Sequence, residues 1–191
     1  MLTTEECRKV VKPRLSEARW KHSQNVSKEA VRLAKKYGAD PQKAEIAGLL
    51  HDVMKDTAPE EQLQMMQRFG IILTNVELAA PKLWHAMSGA AFLERELGMQ
   101  DADILNAVRY HTTARKGMSL LEQVIYIADF TSAERDYDGV EEMRKAADTS
   151  LEEAMVEGLA FTIQDLSEKK APIHPDTFYA YNEVIIQKKE K

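Results

Sequence analysis

The chain has 191 residues, 44% of them hydrophobic and 30% charged, the profile of an ordinary soluble globular protein with enough length for one sizeable core. Its formal charge of −5 leaves no overall basic footprint, which argues against nucleic acid as the main partner, so any phosphate chemistry must use a local cluster of basic residues. No stretch approaches the roughly 20 apolar residues of a membrane span. Cys7 is the single cysteine, a small residue on a short N-terminal helix, and excludes an internal disulfide. Glu5 and Glu6 stand where a signal peptide needs an apolar run. Together these features point to the cytoplasm.

Helical periodicity dominates and no alternating strand pattern appears. Thr3 with Glu6 forms a capping box for a first short helix, limited by Pro13. A second helix is predicted over residues 16–37 and closed by Gly38, with His22, Val26, Ala30, Leu33 and Tyr37 on one stripe. Asp40-Pro41 opens a helix that ends in His51-Asp52. Another starts at Pro59 and stops before Gly70, and Ile71-Ile72-Leu73 is either an apolar connector or a brief extended piece. Thr74 and Glu77 make a second capping box, and Pro81 starts a helix that carries His85 up to Gly98. Asp101 caps a segment leading to His111, and Ser119 with Glu122 caps the very apolar helix that carries Asp129. A charged loop follows at residues 134–139. Helices are then predicted over residues 140–147, 150–169 and 175–188. The fold class is all-α, a single domain over residues 1–191.

His22, His51, His85 and His111 all sit in apolar, helix-like surroundings, and Asp52 and Asp129 interrupt apolar helices. Burying an unpaired imidazole or carboxylate costs several kcal/mol, roughly, unless something pairs with it. A metal ion is the simplest partner for several such groups at once, so the pattern reads as a metallohydrolase. Taken alone, each histidine is weak evidence of a site. His174 has no accompanying acid in its loop, though Lys169 and Lys170 nearby allow a ligand contact.

The order His22, His51-Asp52, Asp129, with two further helix-borne histidines between, resembles the HD phosphohydrolase superfamily. The segments Arg19-Trp20-Lys21-His22-Ser23, Leu50-His51-Asp52-Val53-Met54-Lys55, Tyr110-His111-Thr112-Thr113 and Tyr126-Ile127-Ala128-Asp129 are similar to its YqeK-type branch. Arg135-Asp136, Gly139-Val140 and Ile173-His174-Pro175 extend the likeness, which runs from about residue 14 to 186. Two departures stand out. Ala114 replaces a glycine common after the His-Thr-Thr segment, and Ser132-Ala133 stands where a Glu-Pro pair is common. The resemblance implies an HD core over about residues 16–132, with the helices of residues 140–188 packed on it.

It also implies symmetrical hydrolysis of diadenosine tetraphosphate and related dinucleoside polyphosphates into two nucleoside diphosphates, with hydroxide supplied by a metal. His22, His51, Asp52 and Asp129 would hold the first metal. His85 and His111 would either bind a second, with Asp52 bridging, or contact phosphate and the leaving group. The resemblance favours iron, one or two ions; imidazole and carboxylate ligands also suit manganese or another divalent first-row metal. Catalytic roles fall to Asp52, Lys55, His85 and His111. Substrate contacts fall to Lys55, Asp56, Thr57, Ala58, His85, His111, Thr112, Arg135, Lys170 and His174.

Lys55, one helical turn beyond His51, either neutralises phosphate or forms a solvated face. Arg135 either forks onto phosphate oxygens or pairs with Glu134 or Asp136. Trp20 and Trp84 either stack on a base or pack in the core. The expected partner is a nucleotide, with no nucleic acid and no membrane, and a homodimer is compatible with the chain. The rival readings are an HD-type nucleotidase acting on a nucleoside monophosphate, a catalytically silent nucleotide-sensing module, and a di-iron oxygenase on the same scaffold.

Overall fold

The computed structural model describes residues 2–189. Among them the chain forms eleven α-helices and two short 3-10 turns, with no strand: α1 (Thr4–Val11), α2 (Glu17–Tyr37), α3 (Pro41–Leu50), α4 (Pro59–Arg68), α5 (Asn75–Ala79), α6 (Trp84–Arg95), α7 (Ala102–Tyr110), α8 (Leu120–Thr131), α9 (Val140–Thr149), α10 (Leu151–Glu168) and α11 (Pro175–Lys189). No helix among the described residues is long and apolar enough to cross a membrane.

The helix starts follow local chemistry. Thr3, Thr74 and Ser119 each accept from the backbone three residues on, while Glu6, Glu77 and Glu122 reach back to complete capping boxes. Asp40 and Asp101 cap α3 and α7 by accepting two backbone N–H groups each. The stretch after the Thr74 box departs from expectation. It forms the short α5 and then a 3-10 turn over Pro81–Leu83, so the α-helix carrying His85 begins only at Trp84. Ile71-Ile72-Leu73 is an irregular connector, with Ile72 92% exposed.

α3 is the central helix. Ala44, Ile46, Ala47, Gly48, Leu49 and Leu50 are all buried, an apolar surface all round that requires neighbours on every side. α2 packs on it more extensively than any other helix pair packs, and α1, α7 and α8 also lie against it. The main core runs from Cys7 and Val11 of α1 through α2, α3, α7, α8 and α10 to Ala180 of α11. A small second core joins Met66, Trp84 and Met87 beneath α4 and α6. Both tryptophans serve packing. Trp84 is buried and donates its indole N–H to the Glu77 carbonyl at 2.7 Å, and Trp20 lies half-buried against the main core.

Two backbone positions matter for the site. A Cβ on Gly48 would stand 2.6 Å from Ser27 Cα and 2.9 Å from Ser27 N, so α2 and α3 touch backbone to backbone there. Ser27 Oγ seals the contact by donating to the Glu45 carbonyl at 2.9 Å. Ala114, the departure from glycine, holds φ +56 in the left-handed region, which costs an L-residue roughly 1–2 kcal/mol. Its fully buried methyl offsets part of that, at about 0.8 kcal/mol. Gly48→Ala is expected to destabilise the protein by about 2–3 kcal/mol or more, because rigid backbone must move. Urea unfolding of the variant beside the wild type measures it.

Candidate metal centre

Five helices deliver the site. His22 comes from the middle of α2, His51 caps the C-terminus of α3 with Asp52 next, and His85 opens α6. His111 caps the C-terminus of α7, and Asp129 lies in the last turn of α8. The four histidines and Asp52 are each at most 5% exposed, and the Asp129 side chain keeps 21% exposure.

The donor atoms converge in two groups. In the first, His22 Nε2 and His51 Nε2 face each other at 3.2 Å. Asp129 Oδ1 lies 3.1 Å and Asp52 Oδ2 3.7 Å from His22 Nε2, and Asp52 Oδ2 is 3.6 Å from His51 Nε2. In the second, His85 Nε2 and His111 Nε2 face each other at 3.2 Å, with Asp52 Oδ1 at 3.1 and 3.5 Å. Asp52 therefore turns one oxygen to each pair. Ligand atoms of His22, His51 and Asp129 lie within 4.8 Å of one another, as do those of His51, Asp52 and His111.

The proton positions follow from the partners. His51 Nδ1 donates to the Gly48 carbonyl at 2.8 Å, and His111 Nδ1 to the Val108 carbonyl at 2.7 Å. His22 Nδ1 bonds the Glu134 carboxylate. A carbonyl only accepts, so each Nδ1 bonded to one carries a proton, and in the neutral ring the lone pair then lies on Nε2. Lys55 Nζ donates to His85 Nε2 at 3.2 Å, which makes that nitrogen an acceptor too. Burial pushes the His51 imidazole down to about 4, so it is neutral at pH 7. Burial also lowers His85, although Asp52 opposes it. Burial pulls His22 the same way, but Asp129 and Glu134 outweigh it and hold that imidazole above its ordinary value. The Asp52 and Asp129 carboxyls show the same contest with the opposite sign. Burial alone would raise both, yet His51, His111 and His85 around Asp52, and His22 with Arg135 around Asp129, hold them well below the usual carboxylate range.

The HD domain family matches residues 19–134, more than half of the chain. The chain belongs to the HD domain family. It is 43% identical over 181 residues to the symmetrical bis(5'-nucleosyl)-tetraphosphatase of Bacillus subtilis, covering 95% of this chain and 97% of that one. A Staphylococcus aureus protein of the same name is 32% identical over 184 residues, covering 95% and 94%. The crystal structure of an HD superfamily hydrolase from Clostridium acetobutylicum, described as involved in NAD metabolism, superposes with a TM-score of 0.93 at 37% identity, covering 98% and 99% of the two chains.

The family implies a divalent metal, and this HD domain's donor set suits one. Imidazole nitrogens 3.2 Å apart repel when both are unprotonated unless a cation lies among them, and Asp52 Oδ1 is buried without a well-formed hydrogen bond. Four imidazole nitrogens with two carboxylates are the ligand types of first-row divalent ions.

The other sequence-derived residues divide into groups. Lys55 points into the site, 3.9 Å from Asp52 Oδ1, although α3 stops at Leu50 and the chain reaches Lys55 through tight turns. Arg135 pairs with Asp129 rather than with its loop neighbours: its Nε donates to the Asp129 carbonyl at 2.7 Å and its Nη2 bonds the carboxylate. Asp56 accepts from Ser16 N at 2.7 Å and so pins the start of α2 to the turn after Asp52. Thr57 offers its carbonyl to Gln62, and Ala58 caps α4 without a side-chain bond. Thr112 and His174 line a cleft of about 430 Å³ beside the metal centre, together with Lys169; Lys170 lies outside it, in a left-handed turn.

Three contributors escaped the sequence reading. Glu134 orients His22, and is itself held by Asn25 Nδ2 at 2.6 Å and Ser132 Oγ at 2.8 Å. Ser132 is one of the family departures. Arg19 reaches Asp52 Oδ2 at 3.5 Å. Buried Glu77, read only as a capping residue, also binds Arg109 at 3.1 Å and lies 3.5 Å from His174, supplying the acid that His174 lacks in sequence. The signals were faint, since Glu134 and Glu77 lie 112 and 97 residues from the histidines they meet. Carboxylates behind metal-site histidines raise affinity by roughly 10- to 100-fold. Glu134→Ala is expected to weaken metal binding by about that factor, read by competition with a chromophoric chelator.

Proposed function

We propose that this HD domain is a metal-dependent phosphohydrolase that cleaves diadenosine tetraphosphate, and related dinucleoside polyphosphates, symmetrically into two nucleoside diphosphates. The observation that carries the reading is the row of four imidazole Nε2 atoms with Asp52 turned to both pairs and Lys55 and Arg135 alongside. The 43% identity to the Bacillus subtilis tetraphosphatase over nearly the whole chain supports the substrate class.

His22, His51, Asp52 and Asp129 would hold the first metal. His85 and His111, with Asp52, would hold another or else contact phosphate and the leaving group. Iron is the favoured ion on the family resemblance, with manganese the nearest substitute. When bound, such an ion activates water and stabilises charge on phosphoryl oxygens. The chain's own groups do the rest. The Lys55 ammonium, already inside the site, meets phosphate oxygens that would otherwise face the Asp52 carboxylate. Arg135 holds Asp129 in line and presents the remaining face of its guanidinium to phosphate. Water oxygen bonds to one of the two central phosphorus atoms, and the bridging oxygen departs on the second nucleoside diphosphate. The cleft beside His111, walled by Pro81, Leu83, Thr112, Pro172 and His174, receives a nucleoside. Residues of about 16–132 form the catalytic core and the later helices close this cleft. A nucleotide substrate and a lone, buried, free Cys7 suit a cytoplasmic location.

The test is hydrolysis of diadenosine tetraphosphate by protein loaded separately with iron, manganese and magnesium, with products resolved by chromatography. ADP is expected as sole product, falling at least about a thousandfold in Asp52→Ala. Lys55→Ala and Arg135→Ala should each lower kcat/KM by roughly 10- to 100-fold, the worth of one charge-assisted hydrogen bond. Release of inorganic phosphate from a nucleoside monophosphate, without ADP from the tetraphosphate, would instead establish a nucleotidase. Tight nucleotide binding with no turnover would establish a sensor.

A further inference from the structure

A second cleft, of about 340 Å³, opens on the other end of the metal centre. Asp129, Phe130, Arg135, Tyr137 and Phe161 line it, and Asp129 and Arg135 are bonded to each other. It shares Asp165 and Lys169, at the end of α10, with the cleft beside His111. One cleft thus contains Asp129 and the other Thr112, the neighbour of His111, with Asp165 and Lys169 common to both.

We propose that this second cleft holds the second nucleoside of the dinucleoside substrate, its base stacked on Phe161. The proposal rests on the function proposed above. A substrate cut between its two central phosphorus atoms carries an identical nucleoside on each side of the cut. One cleft cannot take both. Whatever receives the second must lie across the metal centre from the first, and its volume must suit a small ligand.

The residues fit that task. Phe161 lines the cleft and is 39% exposed. It is nonetheless fixed, edge-on to Phe130 at 6.0 Å between centroids and tilted against Tyr137 at 5.2 Å. The Tyr137 hydroxyl donates to the Phe130 carbonyl at 3.2 Å, which holds that ring in turn. A rigid, exposed aromatic face beside cationic side chains is the arrangement on which bases stack with little regard to identity. Arg135, bonded to Asp129, lines the same cleft as the rings and offers a cation to the terminal phosphate of the second half. Lys169, paired with Asp165 at 2.6 Å, faces both clefts, and the Asp165 carboxylate is an acceptor for ribose hydroxyls. The other exposed aromatics, Phe178 and Tyr179 on α11, line neither cleft.

The experiment uses ADP as probe, since two ADP molecules are what symmetrical cleavage leaves behind. Calorimetric titration of the metal-loaded protein is expected to show two ADP sites per chain. Phe161→Ala should weaken one of them about tenfold or more and leave the other within twofold, which also reports that the variant is folded. Phe161→Trp, which keeps a stacking face, should retain both. For diadenosine tetraphosphate, Phe161→Ala should raise KM about tenfold with kcat within twofold. A single ADP site in the wild type would overturn the proposal, as would unchanged ADP binding and KM in Phe161→Ala. If the wild type binds two ADP but does not cleave the tetraphosphate, the assigned reaction fails while the second nucleotide site stands.

Discussion

Two pairs of imidazole Nε2 atoms, His22 with His51 and His85 with His111, face each other across 3.2 Å in a buried site, with the Asp52 carboxylate between them. Where both rings of a pair are neutral their lone pairs oppose each other, and a cation lying among them relieves the repulsion. His51 and His111 spend their Nδ1–H on the carbonyls of their own terminal helical turns, and His22 commits its Nδ1 to Glu134. The centre is held ready for a cation by the surrounding helices, at a cost met by the core that fixes them. Much else in the fold can be read as the means of holding those nitrogens in place.

Three devices do this. The first is the backbone contact at Gly48, which sets the spacing of α2 and α3 and, through the Gly48 carbonyl, also orients the His51 ring. The second is the placement of His51 and His111 at helix C-termini, where unpaired carbonyls are available to fix a ring. The third is a shell of charged partners behind the ligands: Glu134 behind His22, Arg135 behind Asp129, Arg19 and Lys55 around Asp52. Positive and negative groups alternate outward, so both carboxylates stay ionised despite their burial. Of these outer cations, Arg135 also lines the cleft beside Asp129.

The departures from the family pattern also become physical statements. Ala114 keeps the left-handed turn that a glycine would adopt freely, and its methyl fills buried space in exchange for strain. Ser132 replaces a Glu-Pro start to the late loop and donates to Glu134, so the altered loop contributes directly to the orientation of His22.

Local and periodic features were legible in the sequence because they depend on neighbours within one turn. The capping boxes at Thr3, Thr74 and Ser119, the stop at Gly38, and the stripe that places His22 among core residues all needed only adjacent residues. So did the inference that His51, Asp52 and Asp129, set in helices too apolar to be solvated, require a charged partner. The tertiary structure decided what depends on distance between helices. It showed that six donor groups from five helices meet, that Asp52 turns one oxygen to each pair, and that Arg135 binds Asp129 rather than Glu134 or Asp136. It alone revealed Glu134 behind His22, Glu77 beside His174, and the two clefts that share Lys169. Periodicity says which face of a helix is buried, but the rotation and approach of one helix against another come from packing, and on those the chemistry of the site depends.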